Sequence, residues 1–403
     1  MSSTAEQMRA WSGPALLTFG FRPFFLGAAV WAVLIMALWV PMLSGAMTLP
    51  TAFDPVSWHA HEFLFGYLSA VVAGFLLTAV PNWTGRLPIV GWPLAGLFAL
   101  WVVGRVAVGL STLLPPLVVV VLDLVMPVAL GLVIAREIVV GKNWKNLIVL
   151  ALLAVFAFAN ALFHWEAANG FYAARGYGLR LGVGTGVMMI AVIGGRVVPS
   201  FTRNWLAKRG EGRLPTPPMQ KFDKVALLIL LIALLLWVLW PDRWGVGAAL
   251  LLAGIAHAVR LARWAGHRTG SEPLVAVLHV AFAFVPLGAI AIGADALWPG
   301  IFGAAAAQHF WMAGAIGLMT LAVMTRATLG HTGQPLTAGI GTIGIYVAVI
   351  VAVLARLGAG FFPSEADWLH LLAGFGWFVG FGSFVLIYGP MLLRLPADKR
   401  PGG

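Results

Sequence analysis

The sequence predicts an all-α, polytopic membrane protein of about twelve transmembrane helices with both termini cytoplasmic. Three observations predict it. Hydrophobic residues make up 61% of the chain and charged residues only 10%, where a soluble domain carries about 25% charge; the mean hydropathy is +0.94. Apolar runs near the ~20 residues that cross a bilayer recur between polar or Pro/Gly punctuation. Lysine and arginine collect in alternate connections, as the positive-inside rule requires. The charged stretches are too short to build a soluble domain, so residues 1–403 read as a single integral membrane domain.

In chain order the runs cover about residues 22–43, 58–80, 90–110, 115–135, 146–167, 179–200, 223–241, 244–265, 273–294, 300–325, 336–358 and 367–394. The first, from Phe24 to Met42, is long enough to stay as an anchor. The residues before it lack the short apolar core and small-residue cleavage site of a signal peptide. The second opens at Trp58-His59-Ala60-His61-Glu62 and stays apolar to Val80. The fourth carries Asp123 in mid-run, and the fifth ends in Phe163-His164-Trp165-Glu166. The sixth runs into the longest polar loop, Phe201 to Lys221, with Pro215, Pro217 and Pro218. Only Pro241-Asp242-Arg243 separates the seventh from the eighth. The second, sixth and tenth runs end in TAVPNWTGR, IGGRVVPSFTR and MTRATLGHTG, all rich in Gly, Arg and Thr. They are four helices apart, so they read either as a threefold repeat of four-helix units or as shared small-residue patterning.

With the N-terminus inside, twenty lysines and arginines fall on the inner side, Arg9, Lys399 and Arg400 among them. Five fall outside: Arg105, Arg175, Arg180, Arg243 and Arg356. The net charge of +11 is therefore a topology signal and a contact for anionic membrane lipid; nucleic acid is not an expected partner. There is no cysteine, which excludes disulfides, thiolate-bound haem and iron–sulfur clusters. Any metal must be held by His, carboxylate, Met or Tyr.

Topology assigns each histidine a depth. His59, His61, His164, His309 and His370 fall in the outer half. His279 lies in the inner half of the ninth helix, and His331 just beyond the inner end of the tenth. His257 and His267 belong to the eighth helix and its basic loop. Ionisable groups at membrane depth are expensive and default to functional-site candidates, and imidazole is the commonest metal ligand. In a helix His59 and His61 point about 200° apart, so either the segment is extended or they serve different partners. His59 and Glu62, at i and i+3, are expected to share a face. A carboxylate there could be a ligand, a partner that orients an imidazole, or a proton donor. The bland reading of any one histidine is an interfacial or hydrogen-bonded structural residue; for His59, His61 and His309 the ligand reading is favoured. Arg22, Arg196, Arg203 and Arg326 form a second set at inner helix ends. Guanidinium forks suit carboxylates such as haem propionates, or lipid phosphate as the anchoring alternative. Asp123 reads as a proton-relay member or, preferably, as a polar bridge between helices.

GFRPFFL at the first helix, WHAHEFLFGYLSAVVAGFLLTAVPNWTGR at the second, GGRVVPSFTRN after the sixth and GAIGLMTLAVMTRATLGHTG in the tenth closely resemble the NnrS family, over residues Gly20 to about Pro390. That resemblance implies a twelve-helix protein of the bacterial inner membrane, containing haem b and copper and tied to denitrification and to nitric oxide resistance. It marks His59, His61, Glu62, Arg196, Arg203, His309, Arg326 and His331 as functional positions, with His164 and His279 in less specific surroundings. The expectation is a haem and copper protein that binds nitric oxide and reduces it to nitrous oxide, with Glu62, Glu166 or Asp123 delivering protons and the electron donor unknown. His59, His61, His309, His331, His279 and His370 are its candidate metal ligands, and His59, His61, His164, His309, Arg196 and Arg326 its cofactor contacts. A transporter of metal or of a nitrosylated iron species, and a nitric oxide sensor without catalysis, are the alternatives.

Overall fold

The computed structural model describes residues 11–86, 88–210 and 212–394; Arg9, Lys399 and Arg400 lie outside the described residues. Among the described residues, twelve helices are long and apolar enough to cross a membrane: α1 Phe21–Leu43, α2 Pro55–Thr84, α3 Trp92–Gly109, α4 Pro116–Val140, α5 Trp144–Ala168, α6 Tyr177–Arg209, α7 Lys221–Leu239, α8 Trp244–Arg268, α9 Pro273–Leu297, α10 Ala304–His331, α11 Ile340–Phe361 and α12 Pro363–Leu393. Among the described residues all regular structure is helical. The described residues form two compact units, one within residues 11–182, 327–334 and 381–394, the other within residues 183–326 and 335–380.

Most expected boundaries shift by a few residues, and three of the shifts move functional candidates. α2 starts at Pro55, with Asp54 accepting from the amides of Val56 and Ser57 at 3.0 Å and proline at the first helical position, a cap that needs no apolar residue. α6 runs on through Arg203, Lys208 and Arg209, expected in a loop, until Gly210 turns left-handed at φ 67°. α10 includes His331, expected beyond its end. Hydropathy marks where a helix leaves the apolar layer, whereas caps and left-handed glycines mark where its hydrogen bonding stops.

Helices α2, α6 and α10 are buried along most of their length, followed by α9; the other eight are less than half buried. Each of the three contains a wide turn with i→i+5 bonding, at Glu62–Leu68, Ile190–Gly194 and Phe310–Leu318. Such π segments disturb the regular ladder, and side chains bond carbonyls within them. Gly66 O accepts from Trp101 Nε1 at 2.9 Å and Ser69 Oγ at 3.0 Å, and Ala191 O from Arg260 Nη1 at 2.8 Å. Ile316 O and Gly317 O both accept from Thr320 Oγ1. In α2 and α10 a histidine, His61 or His309, directly precedes the wide turn. The residue 23 positions after that histidine is in both cases a threonine, Thr84 or Thr332, which bonds the carbonyl four residues back. Thr202 makes the same bond in α6.

Arg22 departs from its expected place at a lipid or propionate. It is buried, and Nη1 donates to the carbonyls of Leu392 and Arg394 at 2.9 Å and Met391 at 3.3 Å. A helix leaves its last four carbonyls without intrahelical donors; Arg22 serves two of those of α12, Met391 and Leu392, and the Arg394 carbonyl just beyond it.

Candidate functional site

The first unit holds a buried ionic network inside its membrane-spanning helices. Glu62 in α2, Arg105 in α3, Asp123 in α4 and Asn160 and His164 in α5 converge on His61. Arg105 Nη1 donates to both Glu62 oxygens at 2.7 and 2.8 Å, and Nη2 to Asp123 Oδ1. Trp31 Nε1 donates to Glu62 Oε2 at 2.9 Å. His61 Nδ1 lies 3.0 Å from Glu62 Oε1, and Nε2 lies 2.9 Å from Asn160 Oδ1 and 3.2 Å from Asp123 Oδ2. Asp123 Oδ2 also accepts from Asn160 Nδ2 at 2.8 Å and lies 2.9 Å from His164 Nε2. The rings of Phe53, Phe65 and Phe163 stand 5.2 to 5.4 Å from that of His61, and the His164 ring crosses it at 4.8 Å. Aromatic walls keep the network dry, which strengthens every charge interaction within it.

Two glycines let the elements approach. A Cβ at Gly66 would lie 2.8 Å from both Arg105 Nη1 and Glu62 Oε2, so no side chain fits between guanidinium and carboxylate. A Cβ at Gly178 would lie 2.6 Å from Phe163 Cα and 2.9 Å from Ala159 O, in the stretch of α5 that carries Asn160 and His164. Backbone atoms cannot swing aside as a side-chain end can. Gly178→Ala is expected to cost about 1–3 kcal/mol by overpacking, read as a lowered unfolding midpoint of the detergent-solubilised protein; an unchanged midpoint would contradict the packing.

One ligand atom each from His61, Asp123 and His164 lies within 4.8 Å of the other two, close enough to converge on a single ion. Imidazole and carboxylate are a donor set for copper, zinc or iron. Both ring nitrogens of His61 face oxygens, and a neutral imidazole can donate to only one. The ring therefore suits a place where one more positive charge, proton or metal, is held.

The NnrS protein family model matches residues 15–395. The chain belongs to the NnrS family. Among curated proteins none matches it.

In this NnrS-family chain the sequence-marked residues are spread out. His61, Glu62 and His164 come together, joined by Asp123, which is a polar bridge between α2, α3, α4 and α5. His59 does not join them: its ring stacks on Trp39 at 4.1 Å, so the two histidines of α2 serve different partners from within a helix. Glu62, whose amide still bonds the carbonyls of Trp58 and His59, turns its carboxylate to His61 Nδ1. Glu166 lies apart, accepting from the amides of Tyr177 and Gly178 at 2.6 and 3.0 Å, where a carboxylate suits the start of α6. His331, at the end of α10, packs on Phe21 and Phe19.

The second unit holds the others. His309 bonds Ala305 O through Nδ1 at 2.6 Å, and His279 Nε2 bonds Thr202 Oγ1 at 2.8 Å. Arg326 lies 4.1 Å over the Phe201 ring, Arg203 donates to Pro215 O, Arg196 is half-buried and His370 is exposed. A separate buried pair joins Arg260 of α8 to Asp223 of α7 at 2.9 Å.

Arg105 and Asn160 are site residues that sequence reasoning does not reach. Charge placement assigns Arg105 to the outer side although it stands inside an apolar run, and Asn160 lies four residues before His164 in another. A lone polar residue within a span is the signal that marks both.

Proposed function

We propose that this NnrS-family protein binds nitric oxide within the bacterial cytoplasmic membrane, using copper held by His61, Asp123 and His164 and haem b bound through His309. The observation that carries the reading is the buried His61–Asp123–His164 set, with donor atoms within 4.8 Å, in a network that balances two carboxylates against one guanidinium. A net buried charge of that sign favours a bound cation. His309 would hold the haem: its Nδ1 donates to the Ala305 carbonyl, which fixes the tautomer whose Nε2 carries the lone pair a metal requires. When bound, haem iron and copper supply sites at which the gas can coordinate and be reduced. The protein's own part is to orient the donors: Glu62 turns His61, Asn160 and Arg105 hold Asp123, and the phenylalanines exclude water. Nitric oxide is small and uncharged, so it reaches a site within the bilayer through lipid.

Metal analysis of purified protein is expected to find copper, with a Soret band for haem. His61→Ala and His164→Ala should each lower copper, His309→Ala should lower haem, and His257→Ala should change neither; equal content in all four would sink the assignment. Anaerobic addition of nitric oxide to the reduced protein separates catalysis from binding, since only a reductase releases nitrous oxide with turnover. The transporter reading draws on the three buried helices interrupted by wide turns, because transport sites favour broken helices. A colourless protein without copper would favour it.

A further inference from the structure

We infer that Arg105 sets the valence of the ion this network accepts, favouring a univalent cation over a divalent one. The inference rests on reading His61, Asp123 and His164 as the metal-holding set. Glu62 and Asp123 bring two negative charges and Arg105 returns one. The other groups bonded to the network, Trp31 and Asn160, and the surrounding Phe53, Phe65 and Phe163 carry none. With neutral imidazoles as ligands, a univalent ion brings the buried cluster to zero. A divalent ion leaves a positive charge in an aromatic enclosure, where an uncompensated charge is costly. A guanidinium does not relieve this by losing its proton, so the offset is built in.

Geometry adds a second effect of the same residue. Arg105 Nη1 engages both oxygens of Glu62, so that this carboxylate acts on His61 Nδ1. Nη2 takes Asp123 Oδ1, which leaves Oδ2 as the oxygen facing both imidazoles, 3.2 Å from His61 Nε2 and 2.9 Å from His164 Nε2. One guanidinium thus decides both the net charge and which carboxylate oxygen is offered. Gly66 leaves the space through which it reaches Glu62.

The test uses the full-length protein in detergent, stripped of metal with a chelator and equilibrated separately with Ag(I), a redox-inert univalent probe, and Zn(II). Uptake by the His61→Ala/His164→Ala double variant is subtracted as background. Wild type is expected to hold about one Ag(I) per chain at this set and to prefer it to Zn(II). Arg105→Gln, which leaves two negative charges, should move the preference toward Zn(II) by about tenfold or more, and Arg105→Lys should keep it. Glu62→Gln keeps all three ligands but makes the network neutral, and should weaken Ag(I) by about tenfold or more. It decides the matter if Arg105→Gln does not fold. Unchanged selectivity in Arg105→Gln, or unchanged Ag(I) affinity in Glu62→Gln, overturns the inference and leaves the metal reading standing. Equal uptake by wild type and the double-histidine variant overturns both.

Discussion

Arg105→Met is expected to destabilise the protein by about 3–5 kcal/mol, because removing one partner of a buried ion pair strands the charge it compensated. Here the removal strands two, Glu62 and Asp123, both buried among apolar side chains. Methionine fills much of the same volume, so the loss reports charge and hydrogen bonding more than packing. Unfolding of the detergent-solubilised protein by denaturant measures it. Adding Glu62→Gln to Arg105→Met should recover part of the loss, since contacting residues couple. A single variant as stable as wild type would mean that the carboxylates do not depend on the guanidinium.

Arg260→Met is expected to cost a similar amount, about 3–5 kcal/mol, with a different structural consequence. Arg260 Nε donates to Asp223 Oδ1 at 2.9 Å and Nη1 to Ala191 O at 2.8 Å, and its guanidinium lies against the Trp264 and Phe282 rings. Asp223 Oδ2 also accepts the Gln220 amide in the capping box of α7. The substitution therefore strands a carboxylate and a carbonyl within the wide turn of α6 together. Arg260→Lys should restore only part of the stability, because an ammonium lacks the planar fork that reaches both acceptors. Thermal unfolding compared with Asp223→Asn/Arg260→Met checks it: the double variant should lose less than Arg260→Met alone.

Neither of these two arginines is legible as a network member in the sequence. Positive charges at membrane ends serve as topology signals, and charge placement counts Arg105 and Arg260 that way. Neither bias nor spacing tells an arginine at a lipid headgroup from one folded inward onto a carboxylate on another helix. The same holds for Arg22, whose partners lie at the opposite end of the chain. Histidine spacing is more informative, because a helical period separates His59 from His61 whatever surrounds them. It does not reveal that Glu62 turns to His61, its neighbour in sequence.

The sequence by itself determined twelve membrane-crossing helices, the family, and a cost-bearing group at His61 and Glu62, because hydropathy and charge placement act locally and lipid allows few alternatives. Only the tertiary structure decided that His61 meets Asp123, Asn160 and His164 beside Arg105, that Glu166 caps a helix, and that His59 turns to Trp39. These depend on contacts between residues far apart in sequence, in a medium where every buried charge must find its partner from another helix.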